Sequence, residues 1–193
     1  MQSDTFDKLY QIAEAQAGYF TTAQAGAVGV DRNRLAHYAA AGHLERVRHG
    51  VYRLASFPRS PHEDLFIVWL ATGPDAVISH DSALTIYDLS DVLPAAIHVT
   101  VPRTASRRRP GLRLHTNRIA PEEITHYDGL PVTTVPRTIA DVAAAGLSSE
   151  LVIQAVQEAI VNGLATPDEL LAAGRTTRVR RLLQGALEEL GLQ

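Results

Sequence analysis

In "SDTFDKLYQIAEAQAG", residues 3–18, apolar side chains return at helical spacing at Phe6, Leu9, Tyr10 and Ala13. Ser3 or Asp4 supplies a cap and Gly18 a stop, so the pattern predicts a helix. "FTTAQAGAVGV" predicts a second, shorter one, capped by Thr21 or Thr22, with Gly26 and Gly29 in the turn after it. "DRNRLAHYAAAG" predicts a third, from the Asp31 cap to Gly42. The period then falls to two in "HLERVRHGVYRL", with Leu44, Val47, Val51 and Leu54 apolar and His49-Gly50 at a hairpin turn. Three helices and a hairpin, with a short turn between the second and third helices, form the layout of a winged helix-turn-helix.

"SFPRSP", residues 56–61, sets two prolines among polar residues and reads as a linker. The expected division is therefore a DNA-binding type of domain over residues 1–57 and a second domain over 58–193. The second opens with a mostly apolar helix, "HEDLFIVWLATG", followed by a short strand and a helix starting near Ser79. "AIHVTVP", "GLRLHTNRI" and "ITHYDGLPVTTV" predict strands, the last a hairpin around Asp128-Gly129. Pro136 sits at the favoured first position of a helix in "PRTIADVAAAG", and two or three helices fill residues 148–192. The fold class is α+β: a winged helix-turn-helix, then a mixed α/β domain with a helical tail.

Composition removes several classes of chemistry. With no cysteine, disulfides, thiolate metal sites and cysteine nucleophiles are excluded. Lys8 is the only lysine, with no glycine-rich loop before it, so neither a Walker A loop nor a Glu-x-Lys nuclease site can be written. "LFIVWLA" is too short to span a bilayer, and the N-terminus is unlike a signal peptide. The expected location is the cytoplasm.

Charge is unevenly placed. The chain carries a net −3, yet six arginines from Arg32 to Arg59 face only Asp31 and Glu45 within residues 28–60, a local +4. With Leu35 turned inward, Asn33 and His37 fall nearly opposite it, Ala36 and Ala40 lie alongside, Arg34 flanks, and Arg32 and Tyr38 mark the boundary. Small alanines let such a helix approach a major groove, where arginine and asparagine pair with purine edges. On the hairpin, Arg46, Arg48, His49 and Arg53 are suited to phosphate contact. The basic loop Arg103, Arg107, Arg108 and Arg109 offers further nucleic-acid or partner contacts.

"GYFTTAQAGAVGVDRNRLAHYAAAGHLERVRHGVYRL" resembles the N-terminal domain of the AbiEi family of bacterial antitoxins. "PDAVISHDSAL", "IHVTVPR" and "DGLPVTTVPRTIADVA" resemble that family's second domain. The resemblance covers about residues 18–145. It implies an antitoxin encoded beside a nucleotidyltransferase-like toxin, a winged helix that represses the shared operon at inverted repeats, and a second domain that supplies antitoxicity. No cofactor and no enzymatic activity are expected, and two copies are expected to occupy two half-sites of the operator. The alternatives are a repressor that senses a small molecule through its second domain, and a cryptic nuclease.

Other residues invite chemistry without supporting it. Ser79, His80, Asp81 and Ser82 are adjacent on one backbone, whereas triad members converge from distant positions, so Ser79 or Asp81 is read as a helix cap. His62 with Glu63 and Asp64, or His98, His115 and His126 on separate strands, lack a metal-site spacing, and no metal is expected. Arg137 and Asp141 stand four apart on one helix and are read as a structural ion pair.

Overall fold

The molecule is described from a computed structural model, over residues 2–105 and 109–192. Contacts divide the chain into two units, residues 1–75 with His126–Leu130, and residues 76–125 with 131–193. Among the described residues no helix is long and apolar enough to cross a membrane.

In the first unit, α1 (Gln2–Glu14) buries Leu9 and Ala13. The second predicted helix starts at the first of its two candidate caps. Thr21 accepts the Gln24 N–H while the Gln24 side chain reaches back to the Thr21 N–H, a capping box that fixes the start of α2 (Thr22–Ala27). Tyr19–Thr21 is left extended as β1. Asp31 accepts the Arg34 N–H at 2.8 Å and caps α3 (Arg32–Ala40). The hairpin follows as β2 (Leu44–Arg48) and β3 (Val51–Leu54), and β1 pairs antiparallel with β3 to give a sheet of order β1-β3-β2. Phe20, Val30, Leu35, Leu44 and Leu54 close a core against Leu9 and Ala13.

This unit runs past residue 57, where the prolines predict a break. The helix α4 (Glu63–Thr72) turns Phe66 onto Tyr19, the rings stacked with centroids 5.7 Å apart, and so packs on the first sheet. Its apolar run is a binding face for that sheet rather than the opening of a second core.

After α4, β4 (Val77–Ile78) leads into α5 (His80–Tyr87), and β5 (Ile97–Thr100), β6 (Leu112–His115), β7 (Ile124–Tyr127) and β8 (Leu130–Thr133) complete a second sheet of order β6-β5-β4-β8-β7, all of it but His126, Tyr127 and Leu130 counted in the second unit. β4 runs antiparallel to β5 and parallel to β8, while β5 and β6 are parallel. The β7–β8 turn is Asp128-Gly129, both at positive φ, as a tight hairpin requires. Four helices follow: α6 (Val135–Ala145), α7 (Ser149–Val161), α8 (Pro167–Ala173) and α9 (Thr177–Glu189). They bury Ile139, Val142, Ala155, Val156, Leu170 and Leu183 with Leu84 of α5.

Two polar clusters lie inside this second unit. Arg137, 2% exposed, donates from Nε to Asp141 at 2.9 Å and from Nη1 to Glu123 at 2.7 Å. The pair read from the sequence is thus one arm of a three-residue network, which Arg175 joins through Glu123. The second cluster gathers His80, His98 and His115 from α5, β5 and β6. The His80 and His115 rings stack with centroids 3.4 Å apart, and His98 lies 5.2 Å from His115. Ser79 stands at the N-cap position but does not cap with its side chain. Its hydroxyl oxygen instead accepts from Thr100 at 2.8 Å and lies 3.0 Å from His80 Nδ1. Ser79 is fully buried, so the Ser-His-Asp run has no route to a substrate.

Candidate nucleic-acid interface

The third helix exposes Arg32, Asn33, Ala36, His37 and Ala40 and buries Leu35, one polar face opposite one apolar anchor. Neither Arg32 nor Asn33 has a hydrogen-bond or ion-pair partner among the described residues. Arg34 and Tyr38 are half-buried and engaged with each other. Arg34 donates to the Gly29 carbonyl at 3.3 Å and to the Tyr38 hydroxyl at 3.3 Å, while the Tyr38 ring packs edge-on against Phe6 at 5.5 Å. These two residues brace the helix against the turn before it.

On the hairpin, Arg46, Arg48 and His49 are exposed. The register shifts between Arg46 and Arg48, a bulge at Val47 that re-aims the strand end next to the turn. Arg46 Nη2 lies 3.0 Å from His49 Nδ1, so the two share one direction. The turn is held in place, because Thr22 at the start of α2 donates its N–H to the Gly50 carbonyl at 2.9 Å. Arg32 and His49 line one groove of ≈ 670 Å³, with Asp31, Thr22 and Gly50 beside them. The start of α3 and the hairpin turn therefore belong to one surface.

Arg53 does not belong to it. Its side chain is 4% exposed, its Nη2 meets Glu45 at 3.0 Å, and its Nη1 donates to the Phe57 carbonyl. The expectation of phosphate contact there is corrected, and the reason is strand alternation. Arg53 pairs with Tyr19 in register and points to the same side as the buried Val51. Arg59 is also neutralised, by Glu45 at 3.0 Å and Glu63 at 2.8 Å. The Arg59 guanidinium hydrogen-bonds Glu63 and holds its carboxyl below the usual carboxylate range. Of the six arginines from 32 to 59, those left facing outward without a carboxylate are Arg32, Arg46 and Arg48.

The basic loop lies in the other unit. Arg103 opens a 3₁₀ turn and is exposed, Arg109 is half-buried, and Arg107 and Arg108 lie outside the described residues. Among the described residues no group of three or more histidines and carboxylates is arranged to hold a metal ion. His126, imagined beside His98 and His115, falls in the first unit.

Residues 7–55 match the family model described as transcriptional regulator, AbiEi antitoxin. No curated protein matches the sequence. Among solved structures the chain is similar to the RV2827C protein from Mycobacterium tuberculosis, with a TM-score of 0.55 and 13% identity, over 97% of this chain and 77% of that one. At that identity the likeness is one of fold. The matching family is regulatory rather than a class of enzymes. The three helices and the hairpin lie across the same residues, and over 7–55 the chain is similar to the AbiEi antitoxin family of transcriptional regulators.

Proposed function

We propose that the chain is an autorepressing antitoxin. Its first unit binds inverted repeats in operator DNA, two copies on two half-sites, and the chain neutralises a nucleotidyltransferase-like toxin encoded beside it. It acts by binding, with no catalytic step. The observation that carries the DNA half is the groove shared by Arg32 at the start of α3 and His49 at the hairpin turn, with Asn33, His37, Arg46 and Arg48 exposed on the same two elements, inside the segment that matches the regulator family. Asn33 and Arg32 are set to read base edges, and Arg46 and Arg48 to hold phosphates. The toxin half rests on the family described for residues 7–55.

Two substitutions separate the roles. Asn33→Ala should lower affinity for the operator by about 1–3 kcal/mol while leaving binding to random duplex unchanged. Equal loss on both duplexes in a gel-shift titration would remove Asn33 from base reading. Arg48→Ala should weaken every duplex alike and reduce the slope of log affinity against log salt by about one. Arg53→Met, by contrast, should leave that slope unaltered, because its partners are Glu45 and Phe57. The antitoxin half is tested by growth of a host carrying the adjacent reading frame with and without this chain. A toxic neighbour that this chain fails to rescue would leave only a repressor.

A further inference from the structure

On the second unit, α9 presents a stripe that its own core does not use. Val179, Leu183, Ala186 and Leu187 face inward, while Arg178, Arg181, Leu182, Gly185 and Glu189 recur along an outer face. This stripe forms one wall of a groove of ≈ 430 Å³. The opposite wall is Leu147 with Val152 and Ile153 of α7, so the floor is apolar. Leu182 stays 39% exposed at its mouth. A Cβ built on Gly185 meets nothing within 4 Å, so the groove is open beside that glycine.

The charges at the rim are placed against the helix that carries them. The first turn of α9 has no acidic residue and holds Arg178, with Arg180 and Arg181 in the next. Cations there oppose the helix dipole. Arg180 donates to the Gly174 carbonyl at 2.7 Å, but Arg178 and Arg181 have no partner among the described residues. A glycine in mid-helix costs about 1 kcal/mol relative to alanine, and here it opens a cleft rather than permitting a close approach. Two local sacrifices, a cation in the first turn and a glycine in mid-helix, converge on one groove, the arrangement expected where stability has been traded for binding.

We propose that this groove receives an acidic amphipathic segment of a partner protein. An apolar side chain enters beside Gly185 onto Val152 and Ile153, and carboxylates of the same segment meet Arg178 and Arg181. The apolar floor argues for a protein, since a nucleic-acid backbone would leave it unused. Naming that partner as the neighbouring toxin rests on the antitoxin reading.

The test uses the full chain and the purified product of the adjacent reading frame, with binding by calorimetry and growth rescue read in parallel. Gly185→Trp fills the groove, Gly185→Ala removes only the glycine, and an Arg178→Glu/Arg181→Glu double variant reverses the rim. All three should melt no lower than about wild type. Gly185→Trp and the double variant should lose at least tenfold in affinity and lose rescue, while Gly185→Ala keeps both. Wild-type binding that survives Gly185→Trp and the double variant overturns the groove alone. Rescue by wild type without direct binding also overturns the groove and leaves the antitoxin reading standing. Failure of wild type to rescue or bind overturns both. Retention of nucleic acid by wild type that the double variant loses, with protein binding intact, overturns it in favour of a polynucleotide surface.

Discussion

Arg137→Ala is expected to destabilise the chain by about 3–5 kcal/mol at neutral pH, a fall of roughly 10 °C in melting midpoint for a chain of this size. The side chain is 2% exposed and bridges Asp141 and Glu123, both of which lie mostly out of water. Removing it leaves Asp141 buried without its counter-charge. Burial already raises the Asp141 carboxyl above its ordinary value even with Arg137 in place. The Arg118 carbonyl also loses a donor at 3.2 Å. A double variant, Arg137→Met with Asp141→Leu, should recover part of the loss, because the penalty comes from the orphaned charge and not from the missing attraction. Urea titration followed by circular dichroism measures both. A cost below about 1 kcal/mol for Arg137→Ala would mean that water reaches Asp141 and takes the place of the guanidinium.

The second large effect is on pH. Burial, with the neighbouring imidazoles His115 and His98, pushes His80 down to about 3. Burial, with His98 and Arg113, pushes His115 down to about 4. His98 is lowered as well by burial, against the opposing pull of Asp81 at 3.6 Å. In the unfolded chain each ring takes a proton near 6.5. Between those values the unfolded state binds more protons than the folded one, so stability is complete above about pH 7 and falls as pH falls. By pH 5 the loss is about 2 kcal/mol each for His80 and His115, about 4 kcal/mol together. His80→Asn should flatten that slope by about half, and asparagine suits the left-handed backbone at φ +52 that His80 adopts. Urea midpoints at pH 7.5 and pH 5 that coincide would show the three rings to be hydrated.

Which features were legible in the sequence follows from how local their causes are. Helix starts with a capping side chain were readable to within a residue or two, as at Asp31 for α3 and the Pro136 start of α6. The Asp128-Gly129 hairpin carried its own turn chemistry. The outward face of α3 was readable because one buried residue, Leu35, fixes the phase of a helix. Arg53 could have been placed inward by the same kind of argument, since strand alternation puts it with Val51, but charge count outweighed phase. The histidine cluster was readable only in part: the sequence set His98 and His115 side by side, but with His126 in the place that His80 fills. His98 and His115 meet because β5 and β6 are parallel neighbours, and His80 joins them because β4 lies on the other side of β5, pairings that no short pattern specifies. α4 was misassigned for a related reason: an apolar helix announces that it will be buried, but not against which sheet.

The segment His126–Leu130 belongs with residues 1–75. Tyr127 meets His62 edge-on with centroids 5.6 Å apart, and Leu130 is fully buried. The order of synthesis then differs from the order of folding. As the chain leaves the ribosome, its N-terminal unit waits for a piece made fifty residues later, by which time most of the second sheet's strands exist. A nascent chain stalled before residue 126 should hold its first unit in a looser, protease-sensitive form that tightens once Leu130 emerges. Closure of the first unit is then timed to follow the strands of the second sheet and to precede the four helices that complete the second unit.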